Sequence, residues 1–83
     1  MKVNTNAYVR CEVKDLKVLV HGVDKTLELP RIGSAVREID GAHYVEVRCH
    51  WVSEERKLPV VQLPNNRLLE VKQEALLWMP KAA

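Results

Sequence analysis

Residues 35–52 read AVREIDGAHYVEVRCHWV, and this stretch decides the fold class because it has the pattern of a β-hairpin. Its Asp40-Gly41 dipeptide tolerates the two positive φ angles of a type I′ turn, and alternating apolar and polar residues flank it. A two-residue loop sets the register outward from the turn: Ile39 opposite Ala42, Glu38 opposite His43, Arg37 opposite Tyr44 and Val36 opposite Val45. The sequence therefore predicts two antiparallel strands, Ala35–Ile39 and Ala42–Val52.

The alternation gives this hairpin two different faces, because successive side chains of a strand point to opposite sides of the sheet. The apolar face predicts a core surface, made of Val36, Val45, Val47, Cys49 and Trp51. The opposite face is polar, with basic and aromatic side chains: Arg37, Tyr44, Glu46, Arg48 and His50. We interpret this second face as a solvated surface that could bind a partner.

The length of 83 residues predicts one small domain over 1–83, with an N-terminal strand and hairpin in 1–30 and a barrel-like β core in 33–80. The hydrophobic fraction of 47% is that of a globular chain. Thirteen Lys and Arg against eleven Asp and Glu leave a net charge of +2, weaker than the bias of a dedicated nucleic-acid-binding domain. Small domains without disulfides or metals often gain stability by self-association, so the sequence is also compatible with a homodimer.

The N-terminus and the cysteines indicate a compartment. The first residues are polar where a signal peptide needs an apolar run, and no apolar stretch approaches the roughly 20 residues of a membrane span. Cys11 and Cys49 fall at inward positions of alternating strands, which predicts buried thiols in a reducing environment and no disulfide. We expect a cytoplasmic protein with no membrane partner.

Three strands are predicted before the hairpin. Residues 7–13 alternate cleanly between apolar and polar side chains, as a half-buried strand does. Lys17–Val20 and Thr26–Leu29 flank a turn that contains a glycine and an aspartate, and they read as a second hairpin. Pro30 ends it because proline cannot donate to a strand ladder.

The C-terminal third allows two interpretations. The first is all-β, and its elements are strands Leu58–Leu63 and Arg67–Val71, a helical turn at Gln73-Glu74-Ala75 and a last strand Leu76–Met79. Asn66 can take the left-handed conformation that closes the loop between the first two of these strands. The second interpretation is α+β, with a helix over 66–79, because the leucines there also fit a helical stripe. We favour the all-β interpretation.

The element order from Gly33 onward resembles that of SH3-like small β-barrels. A loop leads into a first strand, a long second strand follows, two further strands form a hairpin, and a one-turn helix precedes a last short strand. The chain also resembles small uncharacterised proteins of bacteria and their phages in its LP-x-x-G-x-x-V pattern at residues 29–36 and its DGAHYV segment at residues 40–45. These resemblances imply a small SH3-like barrel or a curled antiparallel sheet, in an accessory protein of a phage or mobile element. The proline-rich ligands of SH3 domains are not implied, because two tryptophans and two tyrosines are too few for their aromatic groove.

No arrangement of side chains predicts an active site or a metal site. The candidate metal ligands lack the C-x-x-C or H-x-x-x-H spacing that brings neighbouring ligands to one ion: Cys11, His21, His43, Cys49 and His50. The aspartates occupy predicted turns, no serine lies in a nucleophile elbow, and the glycines are too dispersed for a phosphate loop. We therefore expect a non-enzymatic protein without a cofactor or metal.

The candidate binding surface combines the polar face of the hairpin with the first strand. If that strand flanks the long one, six side chains share a surface: Tyr8, Arg10, Arg37, Tyr44, Arg48 and His50. Arg and Tyr are enriched at interface centres because they combine contact area with directed hydrogen bonds. We expect a small protein-binding module. The alternative is a nucleic-acid-binding β-barrel in which Arg contacts phosphates and Tyr stacks on bases.

Overall fold

The computed structural model describes residues 2–78, with side chains from Thr5 to Trp78, and that part of the chain is all-β. Its strands are β1 (Lys2–Lys14), β2 (Lys17–His21), β3 (Thr26–Pro30), β4 (Val36–Ile39), β5 (Ala42–Val52), β6 (Pro59–Gln62), β7 (Leu68–Glu70) and β8 (Leu76–Trp78). One 3₁₀ turn, Gln73–Ala75, separates the last two strands. Within the described residues, no helix is long and apolar enough to cross a membrane.

All eight strands belong to one antiparallel sheet whose main order is β3-β2-β1-β5-β6-β7. The two long strands, β1 and β5, pair along most of their length. Each is long enough to take two partners on its other edge: β1 pairs with β2 and β8, and β5 pairs with β4 and β6. The sheet can curl at the points where β1 and β5 change from one partner strand to the next. The predicted N-terminal strand, β1, belongs to the same sheet as the later strands because it pairs with β5.

The β4–β5 hairpin has the predicted register. Val36 pairs with Val45, and the pairing runs without a shift to Ile39 and Ala42. Asp40 and Gly41 have φ angles of 51° and 82°, so both central residues of the turn are in the left-handed region that a type I′ turn requires. The local turn chemistry is therefore sufficient to set this hairpin.

Replacing Gly41 with valine is expected to lower the free energy of unfolding by about 1–3 kcal/mol. A Cβ at this position would meet no atom within 4 Å, so the cost arises from backbone strain and not from a clash. Gly41→Asn is the matched control, because asparagine tolerates positive φ and should lose much less stability. Thermal or urea unfolding measures both variants. A Gly41→Val melt equal to that of the parent would contradict the expectation.

The C-terminal third is the predicted hairpin, and the alternative helix over 66–79 is wrong. Strand β7 and the 3₁₀ turn lie where that helix would begin and continue. Asn66 has a φ of 68°, and the loop closes through the Leu63 amide, which donates to the Arg67 carbonyl at 2.9 Å. This turn directs the chain back along β6. The hydrogen bonds of β7 with β6 therefore stabilise a strand here, although the spacing of the leucines also fits a helix. The final residue of the predicted last strand, Met79, lies outside the described residues.

The core consists of aliphatic side chains and the two cysteines. Its buried members come from both long strands, from β2, β3, β6 and β7, and from the residue that directly follows each of β6 and β7: Ala7, Val9, Cys11, Val18, Val20, Leu27, Leu29, Val45, Val47, Cys49, Val61, Leu63, Leu69 and Val71. No buried polar or charged residue accompanies them in the described part.

The prediction that Trp51 belongs to the core face of the hairpin is wrong. Cys49 and Trp51 pair with the consecutive residues Val61 and Val60, so β5 carries one extra residue there. This β-bulge breaks the alternation, and Trp51 remains 40% exposed. Trp78 is 45% exposed, and it lies in β8, a three-residue strand whose partner among the described strands is β1.

The sheet nearly closes through the turn between β2 and β3. The Val23 amide donates to the Glu70 carbonyl at 2.9 Å, which joins this turn to β7 at the far end of the strand order. Gly22 allows the approach, since a Cβ there would lie 2.4 Å from Leu69 Cδ1 and 2.8 Å from the Glu70 carbonyl oxygen. The result is a barrel-like antiparallel sheet, consistent with the small SH3-like barrel that the element order implies.

Candidate functional site

The structure brings five of the six predicted site residues onto one side of the sheet. Strand β1 flanks β5, as the prediction required. Directly paired residues point to the same side of a sheet, and residues two apart along a strand do so as well. We call the surface formed by these five side chains the outer face: Tyr8, Arg10, Arg37, Tyr44 and Arg48.

The centre of the outer face is a row across three strands. Arg37 on β4 pairs with Tyr44 on β5, and Tyr44 pairs with Arg10 on β1. Neighbouring strands lie about 4.8 Å apart, so the backbones of Arg37 and Arg10 are about 10 Å from each other, with Tyr44 between them. Both arginines are exposed and Tyr44 is half-buried. Among the described residues neither arginine forms an ion pair.

A second row lies beside the first and is less basic. Tyr8 pairs with Glu46 on one side and with Leu77 of β8 on the other. Leu77 is 40% exposed, so it adds an apolar side chain to the rim of the outer face. Glu46 is the one carboxylate within these two rows. The outer face is therefore an amphipathic surface with a basic centre.

The sixth predicted residue, His50, lies away from this centre. It lies at the β-bulge of β5. Six residues separate it from Tyr44, which is about 20 Å along the strand. Its Nε2 donates to Gln62 Oε1 at 2.6 Å, and its ring contacts that of Trp51 with centroids 6.1 Å apart. His50 thus stabilises the junction of β5 with β6.

Sequence reasoning missed a groove at the other end of the barrel. The groove has a volume of about 520 Å³ and lies between the β2–β3 turn, the β5–β6 loop and β7. Its apolar part is formed by Trp51, Val60 and Leu68, of which the tryptophan and the leucine are 40% and 43% exposed. Volumes of about 300–1,000 Å³ are typical of ligand pockets. The charged Ser53–Lys57 run was the only signal for it, since the bulge that exposes Trp51 leaves no pattern in the sequence.

Ion pairs of Arg56 cross the groove. Arg56 Nη1 lies 2.9 Å from Asp24 Oδ2 and 3.7 Å from Glu70 Oε1, so one guanidinium links the β5–β6 loop to the β2–β3 turn and to β7. The hydrogen bond from Arg56, together with its charge, lowers the pKa of the Asp24 carboxyl, and the same contact raises the pKa of Arg56. Both side chains are exposed, so solvent screens the pair and its contribution to stability is small. Its main effect is to position the loop.

Both cysteines are buried and free, as predicted. Burial raises the pKa of the Cys11 thiol and of the Cys49 thiol, so each stays protonated at neutral pH and is a poor nucleophile. Within the described part of the chain, no three His, Cys, Asp or Glu side chains cluster as metal ligands do. The thiols act as small apolar side chains of the core.

A hydrogen-bonded chain on the surface of β1, β2 and β3 has the order acid, imidazole, hydroxyl. His21 Nε2 donates to Glu12 Oε1 at 2.5 Å, and its Nδ1 lies 2.9 Å from Thr26 Oγ1. The His21 and Glu12 side chains are 52% and 65% exposed. Water therefore solvates both members of this pair. We assign it to cross-strand stabilisation of the three strands.

Comparison of the chain with protein-family models, with curated proteins and with solved structures finds no match.

Proposed function

We propose that this chain is a non-enzymatic protein-binding module, and that its outer face docks on a protein surface that presents carboxylates. The observation that carries the proposal is the row Arg37–Tyr44–Arg10, in which two exposed guanidinium groups flank a tyrosine on a rigid three-strand platform. Arginine and tyrosine dominate binding energy at interface centres, and a bidentate Arg–carboxylate pair is stronger than a neutral hydrogen bond.

The surroundings of the row support a protein partner over a nucleic acid. Tyr8 and Leu77 place an aromatic ring and an exposed aliphatic side chain next to the basic centre, which suits the mixed apolar and polar surface of a protein. Glu46 lies between Tyr44 and Arg48 on the same strand and would repel a continuous phosphate backbone. A nucleic-acid-binding β-barrel is the second candidate, because the outer face carries three arginines.

Alanine variants of the row test the proposal. Tyr44→Ala and Arg10→Ala are each expected to weaken partner binding by about 1–2 kcal/mol, a loss of roughly 5- to 30-fold in affinity. Each substitution removes one of the three side chains of the row. Both side chains are at least partly solvated, so the free energy of unfolding should change by about 0.5 kcal/mol or less. The matched control is Arg67→Ala, which removes an exposed arginine from the β6–β7 loop.

The measurement is capture from a lysate of the organism that encodes the chain, with the wild type and all three variants as bait, followed by titration of the captured protein. A protein that binds the wild type and Arg67→Ala but is lost from Tyr44→Ala and Arg10→Ala supports the proposal. Equal capture by all baits contradicts it. Titration with a single-stranded oligonucleotide separates the second candidate, since its affinity would fall steeply with salt as counterions are released.

A further inference from the structure

Strand β4 lies at an edge of the sheet, because β5 is its one partner among the described strands. The Glu46 amide donates to the Ala35 carbonyl at 3.0 Å, and bonded pairs alternate with non-bonded pairs along an antiparallel ladder. Two residues further along, Arg37 also bonds to β5, whereas the backbone amide and carbonyl of Glu38 point away from the sheet. We call the outward groups of this strand, the Val36 carbonyl and the Glu38 amide and carbonyl, the β4 edge. No hydrogen bond within the described residues occupies them.

The other outer strands of the sheet are less able to take a further strand. Strand β3 ends in Pro30, which has no amide to donate. On β7 the outward Glu70 carbonyl already accepts from the Val23 amide at 2.9 Å. On β8 the Leu76 amide donates to the Gln73 carbonyl. The β4 edge has no proline, no bulge and no hydrogen bond from another segment of the described chain, so it is the edge best suited to pair with a further strand.

The side chains of β4 define which strand fits beside it. On the outer face, Arg37 is exposed and forms no ion pair among the described residues, and Ile39 is half-buried. An added strand places one of its side chains opposite each of them. A carboxylate opposite Arg37 gains a charge-assisted hydrogen bond, and an apolar side chain opposite Ile39 covers its exposed part. On the other side of the strand, Glu38 Oε2 already lies 3.7 Å from His43 Nε2, so Glu38 requires no charged partner.

A second copy of the chain fits the β4 edge poorly. Two β4 strands related by a two-fold axis pair antiparallel, and one residue then lies opposite its own counterpart. If that residue is Arg37 or Glu38, like charges face each other, which is destabilising. If it is Val36, the amide needed for the pair already donates to the Ser34 carbonyl at 2.9 Å. The charges of this strand therefore favour a segment that carries a carboxylate over self-pairing.

We propose that the β4 edge binds an extended segment of a protein partner as an additional strand, with a carboxylate of that segment opposite Arg37. Main-chain hydrogen bonds to Glu38 and Val36 supply affinity, and the side chains of Arg37 and Ile39 select the sequence, as is general for strand addition. The segment therefore has an acidic and an apolar residue two positions apart. This inference rests on the proposed function, because it names the part of the acidic partner that extends the outer-face row beyond Arg37.

A short labelled peptide tests strand addition without the natural partner. Its central glutamate has a valine two residues away on each side, with serines between, so it fits β4 in either strand direction. Fluorescence anisotropy with the wild type at up to about 1 mM covers the affinity range of a weak peptide ligand. Replacing the glutamate with glutamine should weaken binding roughly fivefold or more, and methylation of the peptide amides should abolish it. In NMR spectra, binding should protect the Glu38 amide from hydrogen exchange.

Proline at position 38 gives the decisive result, because it removes the outward amide and keeps the hydrogen bonds of β4 to β5. Glu38→Pro should weaken peptide binding roughly tenfold or more, whereas Glu38→Ala keeps the amide and should bind as the wild type does. Glu28→Pro removes an outward amide from β3 and is the matched control for a proline at a sheet edge. Arg37→Ala should weaken peptide binding roughly fivefold or more, and Arg10→Ala, two strands away, should leave it unchanged.

Thermal melts show whether the proline variants fold, and the methylated peptide tests the same hydrogen bonds on the wild type. A peptide that does not bind the wild type, or that binds equally well when methylated or with Glu38→Pro, would overturn the proposal. A wild type that dimerises in sedimentation, and a Glu38→Pro variant that does not, would assign the β4 edge to a second copy and overturn it as well. Partner capture judges the proposed function separately: a partner lost from Tyr44→Ala and Arg10→Ala but retained by Glu38→Pro supports the outer face and contradicts strand addition.

Discussion

Replacing Gly22 with alanine is expected to lower the free energy of unfolding by about 2–4 kcal/mol, because the new methyl group would clash with β7. The Cβ position lies 2.4 Å from Leu69 Cδ1 and 2.8 Å from the Glu70 carbonyl oxygen, closer than packed atoms approach. Leu69 is buried in the core and the carbonyl accepts from the Val23 amide, so neither can move without loss. Urea unfolding followed by tryptophan fluorescence measures the change.

Two comparisons identify the cause of that loss. Gly33→Ala has open space around the new methyl group but a positive φ, so it should cost only the roughly 1 kcal/mol of left-handed backbone strain. In a double-mutant cycle, Leu69→Ala should cost less in the Gly22→Ala background than in the wild type, because it removes part of the clash. Additive effects in that cycle would show that Gly22 does not mediate closure of the sheet.

Replacing Leu29 with alanine is expected to cost about 2–5 kcal/mol. Leu29 is 1% exposed and belongs to the continuous core, so its removal leaves a cavity among aliphatic neighbours. Each kcal/mol lowers the melting temperature of a domain of this size by about 4–8 °C, so the effect is large. Because no Phe is present and both tryptophans are exposed, aliphatic contacts supply most of the hydrophobic stabilisation in the described part.

Leu16→Ala is the matched control for this substitution. It deletes the same atoms from a side chain that is 71% exposed, so the free energy of unfolding should change by about 0.5 kcal/mol or less. Differential scanning calorimetry at low protein concentration compares the two variants without a contribution from self-association. Similar losses for Leu29→Ala and Leu16→Ala would mean that the core does not lie where the structure places it.

The elements that the sequence predicted well are those set by residues close together in the chain. Asp40 and Gly41 require a tight turn, and that turn alone determines the register of β4 and β5. Asn66 likewise closes the β6–β7 loop, and Gln73–Ala75 forms the expected helical turn. The outer face followed from the same alternation, once β1 was placed beside β5.

The errors came from residues whose environment is set by distant strands. Trp51 continues the apolar alternation of its strand, yet an extra residue in β5 opposite two consecutive residues of β6 leaves it exposed. His50 was counted with the outer face for the same reason.

The sequence by itself determined the all-β class, the turns, the strand alternation and the polar character of one face, because these depend on φ preferences and on the period of two residues along a strand. Only the tertiary structure decided the closure of the sheet at Gly22, the bulge at His50 and the groove beside Trp51. Each of these depends on contacts between residues far apart in the chain, and such contacts have no local pattern that periodicity or turn chemistry can reveal.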